Sequence, residues 1–406
     1  MQVKSSGSME KSEGRTTRLA KYLNPAGVVI ASLFLLVNLS ILASGGIRFG
    51  DDSPRYLEGA DNLLRGLPLQ GKQISYAGYV SLIAFCRFTG TGLPGVVLIQ
   101  LFFAAIAAVA LYDLGRRLHG RACGLIAATL FVVNPDIARW HSFILTDSLY
   151  ISLVVLSVWC VHTATRSGRR WYVVAAAASL VLAALVRPNG LFLSAAAVLY
   201  LVSRAISRRS LRWVAISGII LALVLGAITA SRFYPASSNE HPEVTLRNGI
   251  TGIPQWRVSM PADAEPVRGR WSGALGYAAS HPLASLRLGI TRVFIELIHV
   301  RPFYSSRHNI GLLLTLPLFY LLALAGLKLN RDPSLARLIV LIVIAHLFVV
   351  AITFADWDGR YLLYILPLIC LLSSCAAASL IDLYLSRRET NAKRVAKAVA
   401  GQCASE

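Results

Sequence analysis

The chain has 406 residues, of which 55% are hydrophobic and only 15% charged, with a formal net charge of +20 and a mean hydropathy of +0.60. Soluble domains carry roughly 25% charged residues, so this composition excludes a single water-soluble core. The positive charge does not mark a nucleic-acid binder: the basic residues sit in short loops between apolar segments, where they orient a membrane protein, and no nucleic-acid-binding motif accompanies them. Cys86, Cys123, Cys160, Cys370, Cys375 and Cys403 form no CxxC pair. They read as small membrane residues, not as a metal site or disulfide framework.

Residues 1–22 are polar and basic, with Lys4, Lys11, Arg15, Arg18 and Lys21. They are expected to be a cytoplasmic tail. The first apolar run, Pro25 to Ala43, ends in small residues as a signal peptide would. Its length exceeds the usual apolar region of about 7–15 residues, which favours an uncleaved first helix. Further spans are expected near 94–113, 122–135, 143–162, 171–186, 190–203, 213–231, 309–327, 337–354 and 361–383. The fold class is thus all-α integral membrane, with about ten helices crossing roughly 30 Å of hydrocarbon. Tyr76 to Phe88 is too short to span and is read as a helix lying in the interface or re-entering from it. A second interfacial helix is expected from His281-Pro282 to Tyr304, ended by Arg301-Pro302.

Basic loops set the orientation. With residue 1 inside, the inner loops hold Arg116, Arg117 and Arg121; Arg166, Arg169 and Arg170; Arg204, Arg208, Arg209 and Arg212; and Lys328, Arg331 and Arg337. A basic tail, 386–406, follows on the same side. This is the positive-inside bias in short loops, and it places both termini in the cytoplasm. Acidic residues then collect outside, in loops 46–93 and 232–308 and in short turns.

Four outer positions carry candidate chemistry. Asp51 and Asp52 follow the first span directly. Asp52 is either a helix cap ahead of Pro54 or a partly desolvated carboxylate with a raised pKa and a base's reactivity. Asp147, in Thr146-Asp147-Ser148-Leu149, lies in an apolar context near the outer boundary. A carboxylate there is a functional candidate by default, set against a plain helix-dipole role. His141 stands in the same turn. Arg187, in Arg187-Pro188-Asn189-Gly190, and Arg360, in Asp356-Trp357-Asp358-Gly359-Arg360-Tyr361, either snorkel to headgroups or grip a phosphate with a planar fork. Tyr361 is a lid or an interface anchor. There is no P-loop, HExxH, GxSxG or Rossmann glycine pattern. Carboxylates and arginines on one membrane face suit a substrate with an anionic headgroup and a lipid tail, attacked by a hydroxyl.

The run Asp52-Ser53-Pro54-Arg55-Tyr56, followed by Ala60, Leu63 and Gly66, resembles the first-loop signature of GT-C membrane glycosyltransferases of the protein O-mannosyltransferase and lipid A aminoarabinose transferase type. Tyr76-Ala77-Gly78-Tyr79, Gly115 to Gly120, Thr146 to Leu149, Arg187 to Gly190, His281-Pro282 and Arg360-Tyr361 with Pro367 are similar in order and spacing. The resemblance covers about residues 25–385. It implies a GT-C fold and an inverting transfer of sugar from a polyprenyl-phosphate donor to a hydroxyl of an envelope lipid, polysaccharide or protein, on the extracytoplasmic face. It makes Asp52 the base and Asp147 its assistant, sets Arg187 and Arg360 on the leaving phosphate, and places Asp51, Arg55, Tyr56, His141 and Tyr361 around the substrates. No cofactor is certain and a divalent metal stays open, since Ser53 stands where many relatives have Glu. The ten expected spans include no counterpart of the large soluble C-terminal domain of some relatives, so a bulky protein acceptor is the least expected of the three. A composition rich in Ala, Arg and Leu hints at a high-GC bacterium, and the expected location is the bacterial inner membrane. The rival readings are a transporter or flippase of lipid-linked sugars, and an O-antigen polymerase or ligase.

Overall fold

The structure, a computed structural model, describes residues 25–205, 241–262, 267, 269 and 271–403, with side chains set aside at 25, 205 and 393–403. Its helices are α1 (Pro25–Gly45), α2 (Ser53–Leu64), α3 (Ala77–Phe88), α4 (Gly92–Leu118), α5 (Arg121–Val133), α6 (Pro135–Ala138), α7 (Asp147–Ser167), α8 (Arg170–Val186), α9 (Gly190–Ala205), α10 (Pro242–Arg247), α11 (Trp271–Ser280), α12 (Pro282–Ile298), α13 (Ser306–Leu329), α14 (Pro333–Ile352) and α15 (Arg360–Cys403). The described residues contain no strand. One isolated parallel bridge joins Arg48 to Phe143.

Among the described residues six helices, α1, α4, α7, α13, α14 and α15, are long and apolar enough to cross a membrane. The protein is a multi-pass membrane protein by this measure. The expected span 122–135 breaks into α5 and the segment Pro135–Ser142, which meet at 53° and count as a seventh span if taken together. Asn134-Pro135 causes the break. Proline lacks the N–H of a continuing helix and forces the residue before it out of the α region. Asn134 is extended, and its side chain accepts from the backbone N–H of Asp136 and Ile137. The expected spans 171–186 and 190–203 fall on the shorter apolar helices α8 and α9. The expected span 213–231 lies outside the described residues. So do the expected tail 1–22 and residues 206–240, 263–266, 268 and 270.

In a bilayer, helices gain nothing from hiding apolar groups from one another and pack through close backbone approach at small residues. Gly115 of α4 meets Gly124 of α5 so closely that a Cβ on Gly115 would lie 2.7 Å from the Gly124 Cα. Helix α7 is the centre of the bundle and is buried along most of its length, as is the first half of α15. By contrast, α1 turns Val29, Leu35, Leu36 and Leu39 outward, as a helix facing lipid tails should.

One end of the bundle carries the shorter helices. The apolar segment Tyr76 to Phe88 is α3, preceded by a 3₁₀ turn over Gly71–Tyr76. Gly78 lets it seat on α8, with room for no Cβ before the Leu185 carbonyl carbon at 3.0 Å. The second expected interfacial helix is α12, but it stops at Ile298, before Arg301-Pro302 and short of the expected Tyr304. His299 adopts a left-handed conformation (φ 58°) there. That geometry closes a helix before proline has any part in it.

Candidate active site

The loop after α1 is strapped to the turn before α7. Arg48 N–H donates to the Ser142 carbonyl at 2.9 Å, and Ile144 N–H donates to the Arg48 carbonyl at 2.9 Å. Ser53 completes the strap: its hydroxyl donates to the Ile144 carbonyl at 2.9 Å and accepts from Gly50 N–H at 2.9 Å. Asp52 sits at the N-cap of α2, with Pro54 in the first turn, yet its side chain makes no capping hydrogen bond. The carboxylate turns aside to Arg55 NH1 at 3.1 Å and Arg360 NH1 at 3.6 Å, and it remains a quarter exposed. The cap reading of Asp52 therefore does not describe its side chain.

Arg360 opens α15 and is the hub of the charge cluster. Its Nε and NH2 form a fork on Asp356, at 3.2 Å to Oδ2 and 3.1 Å to Oδ1, and its backbone N–H also donates to Asp356 at 2.9 Å. Burial alone would push the Asp356 carboxyl upward in pKa; the Arg360 charge and these hydrogen bonds outweigh it, so the group lies below its usual range. Asp358 lies 3.9 Å from Arg360 Nε, and burial raises its pKa. Glu296 of α12 holds this turn from beneath, accepting the backbone N–H of Asp356 at 3.0 Å and of Leu362 at 2.7 Å. Arg301, fully buried, donates to the carbonyls of Asp356 and Trp357 at 3.0 Å each and faces Glu296 at 3.6 Å.

Asp147, at the start of α7, is completely buried. Its Oδ1 accepts from Arg187 NH1 at 3.0 Å and from the Tyr364 hydroxyl. Its Oδ2 has no hydrogen bond and faces Arg360 NH1 at 3.7 Å. Arg187 also donates to the Thr146 hydroxyl at 2.8 Å, and its guanidinium lies over the rings of Tyr361 and Tyr364 at 5.5 and 4.9 Å. It is 5% exposed. The expectation that Arg187 faces a leaving phosphate is not met by this placement: the residue stands behind Asp147, in a cation–π cage, and Arg360 is the arginine at the opening.

The structure thus brings together Asp52, Arg55, Asp147, Arg187, Arg360 and Tyr361. Asp51 is exposed at the rim. Tyr56 is buried behind Asp52 against the rings of Tyr76 and Tyr79. His141 does not join the cluster. Its Nδ1 pairs with Asn38 Oδ1 of α1 at 2.8 Å, and its ring lies near Phe34, so it ties a peripheral helix to the bundle. Asp356, Tyr364, Glu296 and Arg301 were not singled out from sequence. The first two carry a detectable signal: Asp356 stands four residues before Arg360 in the turn that precedes α15, and Tyr364 four residues after it on the same face of that helix. The donor set does not fit a divalent cation: the Arg360 guanidinium stands between Asp52 and Asp147, where a bridging metal would sit. No group of three or more His, Cys, Asp or Glu among the described residues is arranged to hold one.

Residues 79–231 match the family model described as dolichyl-phosphate-mannose-protein mannosyltransferase. Among solved structures, the apo form of the Archaeoglobus fulgidus oligosaccharyltransferase is similar, at 14% identity with a TM-score of 0.51, over 91% of this chain and 52% of that one. The archaeal oligosaccharyltransferase AglB from Archaeoglobus fulgidus, in complex with an inhibitory peptide and a dolichol-phosphate, gives 14% identity and a TM-score of 0.46, over 89% and 52%. The chain spans about half the length of these structures. No curated protein matches it. The resemblance read from the first-loop signature is therefore met twice, by the mannosyltransferase model over residues 79–231 and by the oligosaccharyltransferase fold over most of the chain: the protein resembles the GT-C glycosyltransferases.

Proposed function

We propose that the protein is a glycosyltransferase that moves a sugar from a polyprenyl-phosphate donor to a hydroxyl group of an envelope acceptor, with inversion at the anomeric carbon. The observation that carries this reading is the state of Asp52: a partly exposed carboxylate that makes no capping hydrogen bond, paired with Arg55 and held beside the Arg360 guanidinium, which is itself ringed by carboxylates. Asp52 takes the proton of the acceptor hydroxyl as its oxygen bonds to the anomeric carbon. The bond from that carbon to the phosphate oxygen breaks on the opposite face, and its electron pair leaves with the phosphate. A phosphate monoester anion is a weak base, so it needs charge stabilisation and no strong acid. Arg360 supplies that charge. Its NH1 is the one guanidinium nitrogen without a close hydrogen bond, lying at 3.6 and 3.7 Å from its two carboxylate neighbours. Asp147, Arg187, Tyr364, Asp356 and Glu296 position Arg360 and keep its fork aimed.

The reading includes about ten spans, with both termini cytoplasmic, the site on the extracytoplasmic face and the chain in a bacterial inner membrane. The excess of arginine in the loops at the opposite end of the bundle supports that orientation. A transporter keeps its ionisable groups near the midplane on broken helices, whereas this cluster lies at helix ends. Purified protein given a radiolabelled polyprenyl-phosphate sugar and an envelope extract should transfer label. Asp52→Asn should cut transfer by about 10²–10⁴-fold, the range of a lost general base, with folding and membrane insertion intact. Wild-type transfer by that variant removes the assignment, and movement of the intact lipid-linked sugar without bond cleavage replaces it with transport.

A further inference from the structure

The turn that precedes Arg360 carries a flat aromatic surface that the chemistry above does not use. Trp357 and Phe303 stack with centroids 4.7 Å apart and planes 26° from parallel, and both are exposed, at 40% and 47%. The platform is rigid from below. The buried Arg301 donates to the Trp357 carbonyl at 3.0 Å. The Tyr304 hydroxyl donates to the Asp358 carbonyl at 2.9 Å, and the Tyr304 ring is stacked on His308 at 4.5 Å and edge-on to Phe303 at 5.0 Å. Trp357 stands three residues before Arg360, in the turn that holds the cluster. Asp358, next to it, is 43% exposed and presents carboxylate oxygens.

We infer that Trp357 and Phe303 form the acceptor subsite, and that the acceptor is a carbohydrate whose pyranose ring stacks on them. The inference rests on the glycosyltransferase reading and names the substrate class of that site. A pyranose has one face of C–H groups carrying slight positive charge and a rim of hydroxyls. An aromatic face carries negative charge, so it attracts the first, and the exposed Asp358 carboxylate accepts from the second. An extended peptide would instead ask for an unpaired strand edge or a groove of backbone partners, and the described residues near the turn offer neither. Simple anchoring in lipid headgroups is the competing role for exposed tryptophan. It asks nothing of the rigidity that Arg301 and Tyr304 impose on this turn.

The test uses the full chain in lipid nanodiscs. Saturation-transfer NMR with soluble methyl glycosides and short oligosaccharides should show transfer to pyranose ring protons with the wild type, lost in Trp357→Ala and retained in Trp357→Phe. This readout needs no donor, so it stands even where the transfer chemistry fails. In the transfer assay, label should appear in the carbohydrate-bearing fraction of the extract. Trp357→Ala should raise KM for that acceptor about ten-fold and change KM for the donor less. No saturation transfer with the wild type overturns the inference, as does label recovered in protein alone. An equal change in KM for donor and acceptor in Trp357→Ala, with weakened membrane retention, assigns the pair to anchoring.

Discussion

At the end of the bundle that carries Asp52, one guanidinium is shared among four carboxylates: Arg360 lies within 4 Å of Asp52, Asp147, Asp356 and Asp358. At the opposite end the ratio is reversed. Asp113 is held by Arg116 and Arg117, Asp332 by Arg166 and His162, and Asp382 by His119 and Arg331. The residue types are the same and the work differs. Where cations outnumber carboxylates, every carboxylate is neutralised and serves to tie helix ends together, as when Asp332 also caps α14 by accepting from Leu335 N–H. Where carboxylates outnumber the shared cation, some are left only partly neutralised. Here that holds for Asp52, 25% exposed, and for Asp358, 43% exposed, and the proposed reading gives the incoming hydroxyl to Asp52. The ratio, more than the presence of charge, separates a reactive end from a structural one.

The sharpest way to break the comparison after Asp52 itself is to change the shape of the hub without changing its charge. Arg360→Lys keeps one positive charge and loses the planar fork that grips both oxygens of Asp356. If Arg360 stabilises the leaving phosphate from a fixed position, transfer should fall by about 10²–10³-fold, the cost of one misplaced charge-stabilising donor. KM for the donor should change less than kcat. Steady-state kinetics on the purified variant decides this. A variant with wild-type kcat would mean that any cation suffices and that the convergence on Arg360 is only packing.

Much of this end is legible in the sequence, for a physical reason. Asp52, Asp147, Arg187 and Arg360 each stand at the boundary of an apolar run, and ionisable groups at helix ends of a membrane protein stand out against their surroundings. What the sequence hides is depth and partner. Arg187 and Arg360 look alike in one dimension, but Pro188-Asn189 folds the chain back so that Arg187 is covered by Tyr361 and Tyr364. His141 looks like a mouth residue because it precedes Asp147, yet its partner is Asn38 on α1. Glu296 carries no local mark beyond being one acid in an apolar helix, and its two N–H partners lie sixty or more residues away. The last helix also outlasts its expected span. The expected span stops near 383, whereas α15 runs to Cys403, because loss of apolar character ends a membrane crossing without ending a helix.

Glu296 offers a smaller test, of the platform under the hub. Burial raises its pKa from 4.5 to about 7, against the opposing charge of Arg301. A raised carboxyl pKa means that the fold favours the protonated form. The linked stability is therefore full below about pH 4.5 and is lost as pH climbs through about 7. Glu296→Gln removes the titration while keeping one carbonyl oxygen for the two backbone N–H groups. Its unfolding midpoint should be flat over that interval where the wild type declines. Its baseline should be lower by about 1–3 kcal/mol, the cost of one buried donor left without a partner. Parallel slopes for the two proteins would show that Glu296 does not titrate there.

The smallest effect belongs to the opposite end, and it is the control on which the comparison turns. Asp382 is 55% exposed on its side chain, with His119 at 3.5 Å and Arg331 at 3.9 Å. Pairs this open are screened by solvent and salt. Asp382→Asn should shift stability by no more than about 0.5 kcal/mol and leave the transfer rate and both KM values at wild-type levels. The Arg360→Lys variant, measured beside it, should show loss of transfer with little loss of fold. If Asp382→Asn instead slows transfer as strongly, the two ends do not differ in kind: the charge at both would act through the stability of the bundle, and the ratio of carboxylates to guanidinium around Arg360 would carry no functional meaning.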